Sequence, residues 1–576
     1  MISLSMALLT AIIGIVPSIL ARNFKAAIIT GTLTGLLSWW IYYYTTPSFI
    51  SPFGGPIAFI VLACWVLSVA IAFSPEYPNE GHPAVPVVMT LLGVAILIAF
   101  GISGSPMCNS AKYAQLGGDW EERDWTADVQ PKDPKQVRLV PKELAFYLAS
   151  KQLGEVKEAI GSQFQLNGEH FTLQSVKGEL WYVGPLDFRD YFVWNSARYA
   201  PGYVMVSALD PKLPVIVKTG CKFQYMAKAW FGSKLERFIW SQSIFKHTLT
   251  DFSFEVDDDG NEWWVVTAYR PTIMWGGPKV LGVYIVNPTT GEMQFCSVDE
   301  TPAWVDRVFP AEFVHSYINW KGLLSGGWMN SLFEKRDLTR PEGISIVYGS
   351  DSKPYWVTGI TSRNASDQSL LGLVYVETRT GKISEYHAKG GTEDAVVDLV
   401  NNKVSYKRLH GSGPVLYNVY GTMTSIVPLL GASRSYQGVA MVDVANMQLV
   451  VGDNIEDASR QYSRLIMSGT GQKLAPEKVH DFKTISGIVD SFAQETSGNS
   501  ETTYYIHLQN VPHLFSGASD LSPKLRMTKE GSQVVVGYIA SQEDVVPMAS
   551  FDLPSLVLAK SPLQESLQQK NSVSAK

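Results

Sequence analysis

The first 106 residues contain only four charged side chains, Arg22, Lys25, Glu76 and Glu80. No other feature of the sequence limits the fold as strongly. Within this stretch lie four apolar segments, Ile2–Leu20, Ala26–Tyr44, Pro56–Phe73 and Pro86–Gly101. Each is close to the ~20 residues that cross a bilayer as a helix, the form in which a segment satisfies its own backbone hydrogen bonds. A cleaved signal peptide is excluded as a reading of the first segment, because it lacks a basic start and three more segments follow. Trp39, Trp40, Tyr42, Tyr43 and Tyr44 close the second segment as an aromatic belt suited to a membrane interface. Gly31 and Gly35 form a GxxxG in the same segment and would let a neighbouring helix approach closely.

The only basic loop among these segments holds Arg22 and Lys25, and the positive-inside rule puts it in the cytoplasm. The Glu76/Glu80/His82 loop is then also cytoplasmic, and everything after the fourth span lies outside. This predicts an integral protein of a bacterial inner or cytoplasmic membrane, with a large extracytoplasmic C-terminal region.

At 576 residues the chain is too long for one core. Its body repeats a strand–turn–strand pattern. The clearest copy is Glu262–Phe295, with a turn at Asn-Pro-Thr-Thr-Gly; a second is Pro354–Tyr386, with its turn at Thr378–Gly381. A looser copy pairs GELWYVGPLDF (Gly178–Phe188) with PGYVMVSALDP (Pro201–Pro211), and a weak fourth pairs LYNVYG (Leu416–Gly421) with GVAMVDVANMQLVV (Gly438–Val451). Pro141–Gly154 reads as a helix, with proline at its start, leucines near one face and glycine at its stop. Tyr225–Phe245 carries apolar residues at roughly helical spacing.

A helix of the ELAFYLASKQLG kind followed by GELWYV and PGYVMVSALDP resembles the PepSY type of α+β module. The hairpins GVYIVNPTTGEMQF and GLVYVETRTGKISEY resemble the strand pair of that module. Over residues 140–553, including ETPAWVDRVFP, the chain also resembles a family of large uncharacterised multi-span membrane proteins of bacteria and their phages. The resemblance implies architecture and carries no assigned activity; PepSY modules elsewhere are associated with peptidase inhibition or envelope sensing.

After Lys483, strand candidates at KTISGIVDSFAQE, TTYYIHLQN, SQVVVGYIA and VVPMASFDL suit a small closed barrel, OB-like or SH3-like. Tyr504 and Tyr505 are adjacent and so face opposite sides, and no basic stripe accompanies them, which favours a structural barrel over a nucleic-acid platform. A net charge of −6 likewise gives no footprint for nucleic acid.

The expected fold is α+β: a four-helix transmembrane region, tandem PepSY-like β-rich modules and a small C-terminal OB/SH3-like barrel. The expected boundaries are 1–106 for the helices, 107–140 for a juxtamembrane linker and 141–250 for the first module. They continue with 251–345 for the second module, 346–480 for the third and a possible fourth, 481–560 for the barrel and 561–576 for a disordered tail.

Signatures of chemistry are sparse. VDDDGNE (Val256–Glu262) packs acids around a glycine, but lacks the alternating ligands and distant glutamate of a calcium loop, so it reads as an acidic hairpin turn. The nine histidines show no metal-binding spacing, and no nucleophile elbow, P-loop or dinucleotide fingerprint occurs. No cofactor and no metal is expected. Cys108, Cys221 and Cys296 could pair once in an oxidising compartment, although small buried apolar residues are the plainer reading. Trp304–Trp320 is the most unusual run. Its Asp306, Glu312 and His315 are the candidates for catalysis, set against a plain helix with a solvated charged face.

The reading that follows is a structural or interaction protein of the cell envelope, in contact with membrane lipid and with a protein partner or copies of itself. Its exposed strand edges would suit pairing with another chain. The alternative is a PepSY-type regulator of an envelope peptidase, or an enzyme whose site converges from distant loops.

Overall fold

The computed structural model describes residues 2–48, 50, 56–74, 84–155, 160–243, 245–363, 369–468, 482–496, 502–519, 521–539 and 544–556. The Glu76/Glu80/His82 loop and the expected tail 561–576 lie outside these. The chain divides into two compact units. One comprises residues 1–130, 136–416 and 427–437, and the other residues 131–135, 417–426 and 438–576.

The first unit begins with apolar helices α1 (Ile2–Leu20), α2 (Phe24–Thr45), α3 (Pro56–Ala72) and α4 (Ala84–Ser103). Three are long and apolar enough to cross a membrane: Ser3–Leu20, Phe24–Thr45 and the run Ala84–Ala114 that includes α4. The 17-residue α3 sits at the short end of the ~17–25 residues a span requires. Small and hydroxylated residues mark the face of α2 that meets α1. Ser18 Oγ lies 3.0 Å from Thr30 Oγ1, and Thr10 Oγ1 lies 2.9 Å from the Tyr42 hydroxyl. A Cβ on Gly31 would fall 2.7 Å from Ile15, and one on Gly35 3.2 Å from Ala11. The GxxxG therefore faces α1 and sets how closely the two helices approach.

The expected linker is ordered. α5 (Pro106–Ala114) follows α4, and β1 (Trp120–Arg123) joins the edge of a distant sheet in parallel, with Trp120 opposite Ile383. Glu121 finds a partner there, Lys382 Nζ at 2.8 Å, and Arg123 pairs locally with Asp128 at 2.9 Å.

Three modules follow, each with a helix leading into an antiparallel sheet. The first has α6 (Lys142–Glu155), then β2 (Phe164–Leu166), β3 (Thr172–Val176), β4 (Glu179–Phe188), β5 (Ala200–Ser207) and β6 (Ile216–Phe223). The second has α7 (Leu235–Ser243), then β7 (Thr248–Val256), β8 (Glu262–Ile273), β9 (Gly276–Val286) and β10 (Met293–Ser297). In the third, α8 (Ala311–Leu324) precedes β11 (Thr339–Tyr348), β12 (Pro354–Ser362), β13 (Ser369–Glu377) and β14 (Ile383–Gly391). The sheet orders are β2-β4-β5-β6 with β3 also on β4, β10-β9-β8-β7, and β1-β14-β13-β12-β11. The repeated patterns in the sequence fall on β4/β5, β8–β10 and β12–β14, and so include the central strands of each sheet.

One hydrogen-bond device recurs in all three. The carbonyl just after the third strand of each meander accepts two successive backbone N–H groups from the segment before that module's helix. Leu139 and Val140 donate to Ala208, Gln224 and Tyr225 to Pro288, and Val308 and Phe309 to Thr378, at 2.8–3.1 Å. Such a hook uses both lone pairs of one carbonyl and leaves two buried N–H groups satisfied. In the second and third modules the turn then closes identically: Gly291 N bonds Asn287 O at 2.9 Å, and Gly381 N bonds Glu377 O at 2.8 Å. Both glycines have positive φ, 75° and 74°, and each packs against an aromatic ring of the hooked segment, Tyr225 or Phe309.

After the third module come α9 (Glu393–Val404) and β15 (His410–Gly411), the latter paired with the far end of β17. The expected fourth copy is shifted: LYNVYG falls on β16 (Val415–Val419), and β17 (Thr422–Leu430) intervenes before the hairpin of β18 (Tyr436–Asp443) and β19 (Gln448–Gly452).

The second unit contains that hairpin, α10 (Ile455–Ser468) and a closed five-stranded barrel. Its strands are β20 (Phe482–Thr496), β21 (Thr502–Leu508), β22 (Leu514–Ala518), β23 (Gln533–Ile539) and β24 (Val545–Asp552), in the order β20-β21-β22-β24-β23. β22 and β24 run parallel and the other neighbours antiparallel. Tyr504 points into the barrel core and Tyr505 outward to Glu495, the opposite faces expected of adjacent strand residues.

Candidate functional site

Among the described residues, a cluster of buried ionisable groups lies where the three modules of the first unit meet. Glu255 sits near the end of β7, in a run where both strand faces are covered. Asp306 lies in the segment Thr301–Pro310 that leads into α8, and Tyr348 ends β11. All three are buried, at 2%, 6% and 3% exposure.

Asp306 Oδ2 accepts the Ser175 N–H of β3 at 2.6 Å and the Tyr348 hydroxyl at 2.8 Å. Its own N–H donates to Glu255 Oε2 at 3.3 Å, and its carbonyl accepts the Thr378 hydroxyl of the third module. Ser253 Oγ donates to the other Glu255 oxygen at 2.7 Å. A few residues away, Gln174 bridges β3 to β7 by donating to Phe254 O at 2.9 Å and accepting from Val256 N at 2.8 Å. One carboxylate and its neighbours thus join all three modules.

The electrostatics follow from that burial. Desolvation pushes Glu255 up to about 7, and the neighbouring Asp306 charge adds to the shift. Desolvation raises Asp306 to about 6, opposed by the Ser175 and Tyr348 bonds and by Arg307. Arg307, largely buried, is the local cation; its guanidinium lies 3.8 Å from Asp251, and nearby acids hold its pKa above the ordinary value. Asp251 sits on a β-bulge of β7 with φ of 44°, a conformation that turns one residue out of the strand alternation. His170 borders the cluster with Nδ1 2.8 Å from Phe252 O, and burial lowers its pKa.

The sequence candidates separate. Asp306 is in the node, whereas Glu312 is exposed in the first turn of α8 and His315 is half-buried one turn further on. The helix starts only after Pro310, so Asp306 and Arg307 are not part of a solvated helical face. They are buried in an inter-module segment whose backbone is bound to Thr378. Glu255 and Tyr348 were missed; the available signal, for Glu255, was a charged residue flanked by Phe254 and Val256 in the strand FSFEV.

The remaining expectations resolve locally. In VDDDGNE, the Asp257 carboxylate accepts from Asp259 N, Asn261 N, Asn261 Nδ2 and Trp263 Nε1 at 2.8–3.0 Å, so the turn satisfies its own acid. Among the described residues no group of three or more His, Cys, Asp or Glu is arranged to hold a metal ion. All four cysteines are free thiols; Cys64 and Cys296 are buried, Cys221 is half-buried and Cys108 is exposed, which corrects the expectation that all are buried. Of the aromatic belt, Trp39, Trp40 and Tyr44 are exposed, while Tyr42 is fully buried against α1 and Tyr43 stacks on Arg237 at 3.7 Å.

No protein-family model and no curated protein matches the chain. Among solved structures, an endo-arabinase from Bacteroides thetaiotaomicron VPI-5482 overlays with 8% identity over 58% of this chain and 88% of that one, at a TM-score of 0.16. A polysaccharide lyase, Uly1, gives 10% identity over 68% and 83%, at 0.15. Overlaps this poor define no common fold and bear on no activity.

Proposed function

We propose that this chain is a membrane-anchored structural or interaction protein of the cell envelope, presenting β-rich modules outside the membrane for a protein partner or for copies of itself. The observation that carries this reading is the node. The buried acids that the modules bring together are bound to backbone N–H groups, a serine and a tyrosine, partners drawn from all three modules, an arrangement that joins modules and keeps both carboxylates buried. In this reading α3 is a fourth span, the modules are PepSY-like, and the barrel, with its third and fifth strands parallel, is of OB-like topology.

The test is purification in mild detergent from the native cell, with crosslinking and mass determination. A homomeric or mixed assembly is expected; a monomer with no partner would count against the scaffold. Sidedness is read separately: alkaline phosphatase fused after residue 560 is active if the modules are extracytoplasmic and inactive if they are not. A second reading, catalysis, is favoured only by carboxyl groups raised toward neutrality, which a general acid also needs. Asp306→Asn, Glu312→Ala and His315→Ala that each leave every assayed activity intact would remove it.

A further inference from the structure

Residues outside the apolar helices that expose large hydrophobic side chains recur where the first unit touches the α2 and α4 ends. Arg237 of α7 donates from Nε to Tyr43 O at 3.2 Å and from Nη1 to Phe231 O at 2.8 Å, so a single guanidinium separates Phe231 from the last turn of α2. Phe231 is 53% exposed and Trp230 41%, and behind them Tyr191 and Trp194 of the helix Tyr191–Ala197 pack ring to ring. Trp240 Nε1 donates to Pro47 O at 2.9 Å, and Thr248 Oγ1 to Ser48 at 2.8 Å; three residues before Thr248 stands Phe245, 68% exposed.

The α4 end repeats the pattern. The β8–β9 hairpin places Trp275 against Phe59 of α3, with ring centroids 5.7 Å apart, and beside Gly101 of α4. Met274, 45% exposed, touches Gly104 immediately after α4. Leu324, the last residue of α8, packs with Tyr113 and Ile273, and Tyr113 bonds Gly104 O at 2.8 Å. The segment beyond it exposes Met329 and Phe333, at 60% and 71%.

Cations flank these side chains in sequence: Lys228 and Lys234 around Trp230–Phe231, Lys246 after Phe245, and Lys335 with Arg336 after Phe333; Lys234 and Arg336 also pair with Glu236 at 3.2 Å and Glu334 at 3.5 Å, while Lys228, Lys246 and Lys335 are exposed. Aromatic and apolar tips interleaved with Lys and Arg are what the headgroup layer of a bilayer accommodates. There the rings sit at the hydrocarbon boundary and the cations reach lipid phosphates. Trp40 and Tyr44 are also exposed at the end of α2, and Tyr44 packs on Tyr43, over which Arg237 lies.

We infer that Trp230–Phe231, Phe245, Met274 and Met329–Phe333 form a lipid-contacting collar, seated in the headgroup layer around the helix ends, and that its occupant is anionic phospholipid. The inference rests on the helices spanning a membrane. A body held to the bilayer only by helix ends is free to tilt, and a collar that dips into the interface at several points removes that freedom.

The test is photocrosslinking of the full chain in vesicles of phosphatidylethanolamine and phosphatidylglycerol containing an alkyne-tagged lipid. p-Benzoylphenylalanine replaces Phe231, Phe245 or Phe333 in turn, exposed positions with room for the added benzoyl group. Leu91, 64% exposed on α4, is the positive control, and Tyr406, 77% exposed after α9, the negative one. Lipid adducts are expected at all three collar positions and at Leu91, and none at Tyr406. Adducts at Leu91 but none at the collar overturn the collar and leave the spans standing. Adducts between two protein copies at the collar overturn it in favour of a protein–protein contact. No lipid adduct at Leu91 overturns the spanning reading, and the collar with it.

Discussion

Removing the Asp306 carboxylate and neutralising Glu255 should have opposite consequences, although the two side chains are neighbours in one node. Asp306→Ala leaves the Ser175 N–H and the Tyr348 hydroxyl without their acceptor and deprives Arg307 of a nearby anion. Breaking one side of a buried charged network costs about 3–5 kcal/mol, so this variant should lose that much and melt well below the parent. Glu255→Gln keeps a carbonyl oxygen for Ser253 or for Asp306 N and removes a charge that burial and Asp306 both oppose. The sign follows from the raised pKa. A carboxyl at about 7 when folded and near its ordinary value of 4.5 when unfolded favours the folded state fully below 4.5, and that stability is lost as pH rises through 7. The loss is on the order of 3 kcal/mol by pH 8, taking about 1.4 kcal/mol per unit. Glu255→Gln should therefore match the parent within about 1 kcal/mol at pH 5 and exceed it by about 1–3 kcal/mol at pH 8. Asp187 and Glu393, also raised to about 7 by burial, tilt the parent curve in the same direction, so the difference between variant and parent is the quantity to read. Thermal unfolding of the full chain in detergent, measured from pH 5 to 8, makes the comparison. If Glu255→Gln is less stable than the parent at pH 8, or Asp306→Ala costs nothing, the node is not the joint described here.

Two further substitutions test the geometry elsewhere. Gly381→Ala places a Cβ 2.5 Å from the Phe309 ring at a φ of 74°, and should cost about 1–3 kcal/mol and open the 301–310 segment to limited proteolysis. Proteolysis no faster than the parent's would show that the turn does not pack on that segment. Gly31→Ile drives a branched side chain into Ile15, whereas Gly35→Ala meets Ala11 only at 3.2 Å. Disulfide crosslinking between cysteines placed on α1 and α2 should fall sharply in the first and little in the second, and equal yields would remove the close approach from this face.

The apolar helices were legible because their signal is compositional and local: twenty residues without charge leave few alternatives. The central strand pairs were legible for a related reason, since strands covered on both faces read as continuous apolar runs. What escaped was decided by contacts distant in sequence. β1 is four residues of Trp-Glu-Glu-Arg with little strand character of its own, and it is a strand because the open edge of β14 accepts it. Among its described residues the amphipathic run Tyr225–Phe245 is α-helical over Leu235–Ser243 alone, after a 3-10 turn at Phe231–Ser233, because Met226 bonds back to Ser233 and Leu235 and the intervening Trp230–Phe231 turn faces outward. Asp306 was singled out for its unusual neighbourhood, but grouping it with Glu312 and His315 assumed a helix that Pro310 delays. Its true partners, Ser175, Glu255 and Tyr348, lie 131, 51 and 42 residues away.

The three carbonyl hooks, each closing one module on its own lead-in segment, and the acidic node, which joins modules, work by different physics. A hook is made of backbone groups, so almost any side chain can occupy the donor positions, and Leu-Val, Gln-Tyr and Val-Phe all do. That tolerance lets the hook persist after the sequence around it has diverged, and accounts for copies that are loose as sequence and still share this bond pattern. The node depends on particular side chains and on their ionisation. In the third module the two meet, because Val308 and Phe309, which form the hook, directly follow Asp306 and Arg307, which form the node. The segment Thr301–Pro310 is thus fixed near both ends by bonds indifferent to pH, from Arg379 to the Thr301 and Pro302 carbonyls and from Val308 and Phe309 to Thr378, and between them by a carboxyl group that is not. Loosening of this body at rising pH should start at Asp306, with the Thr378 hook the last contact to part.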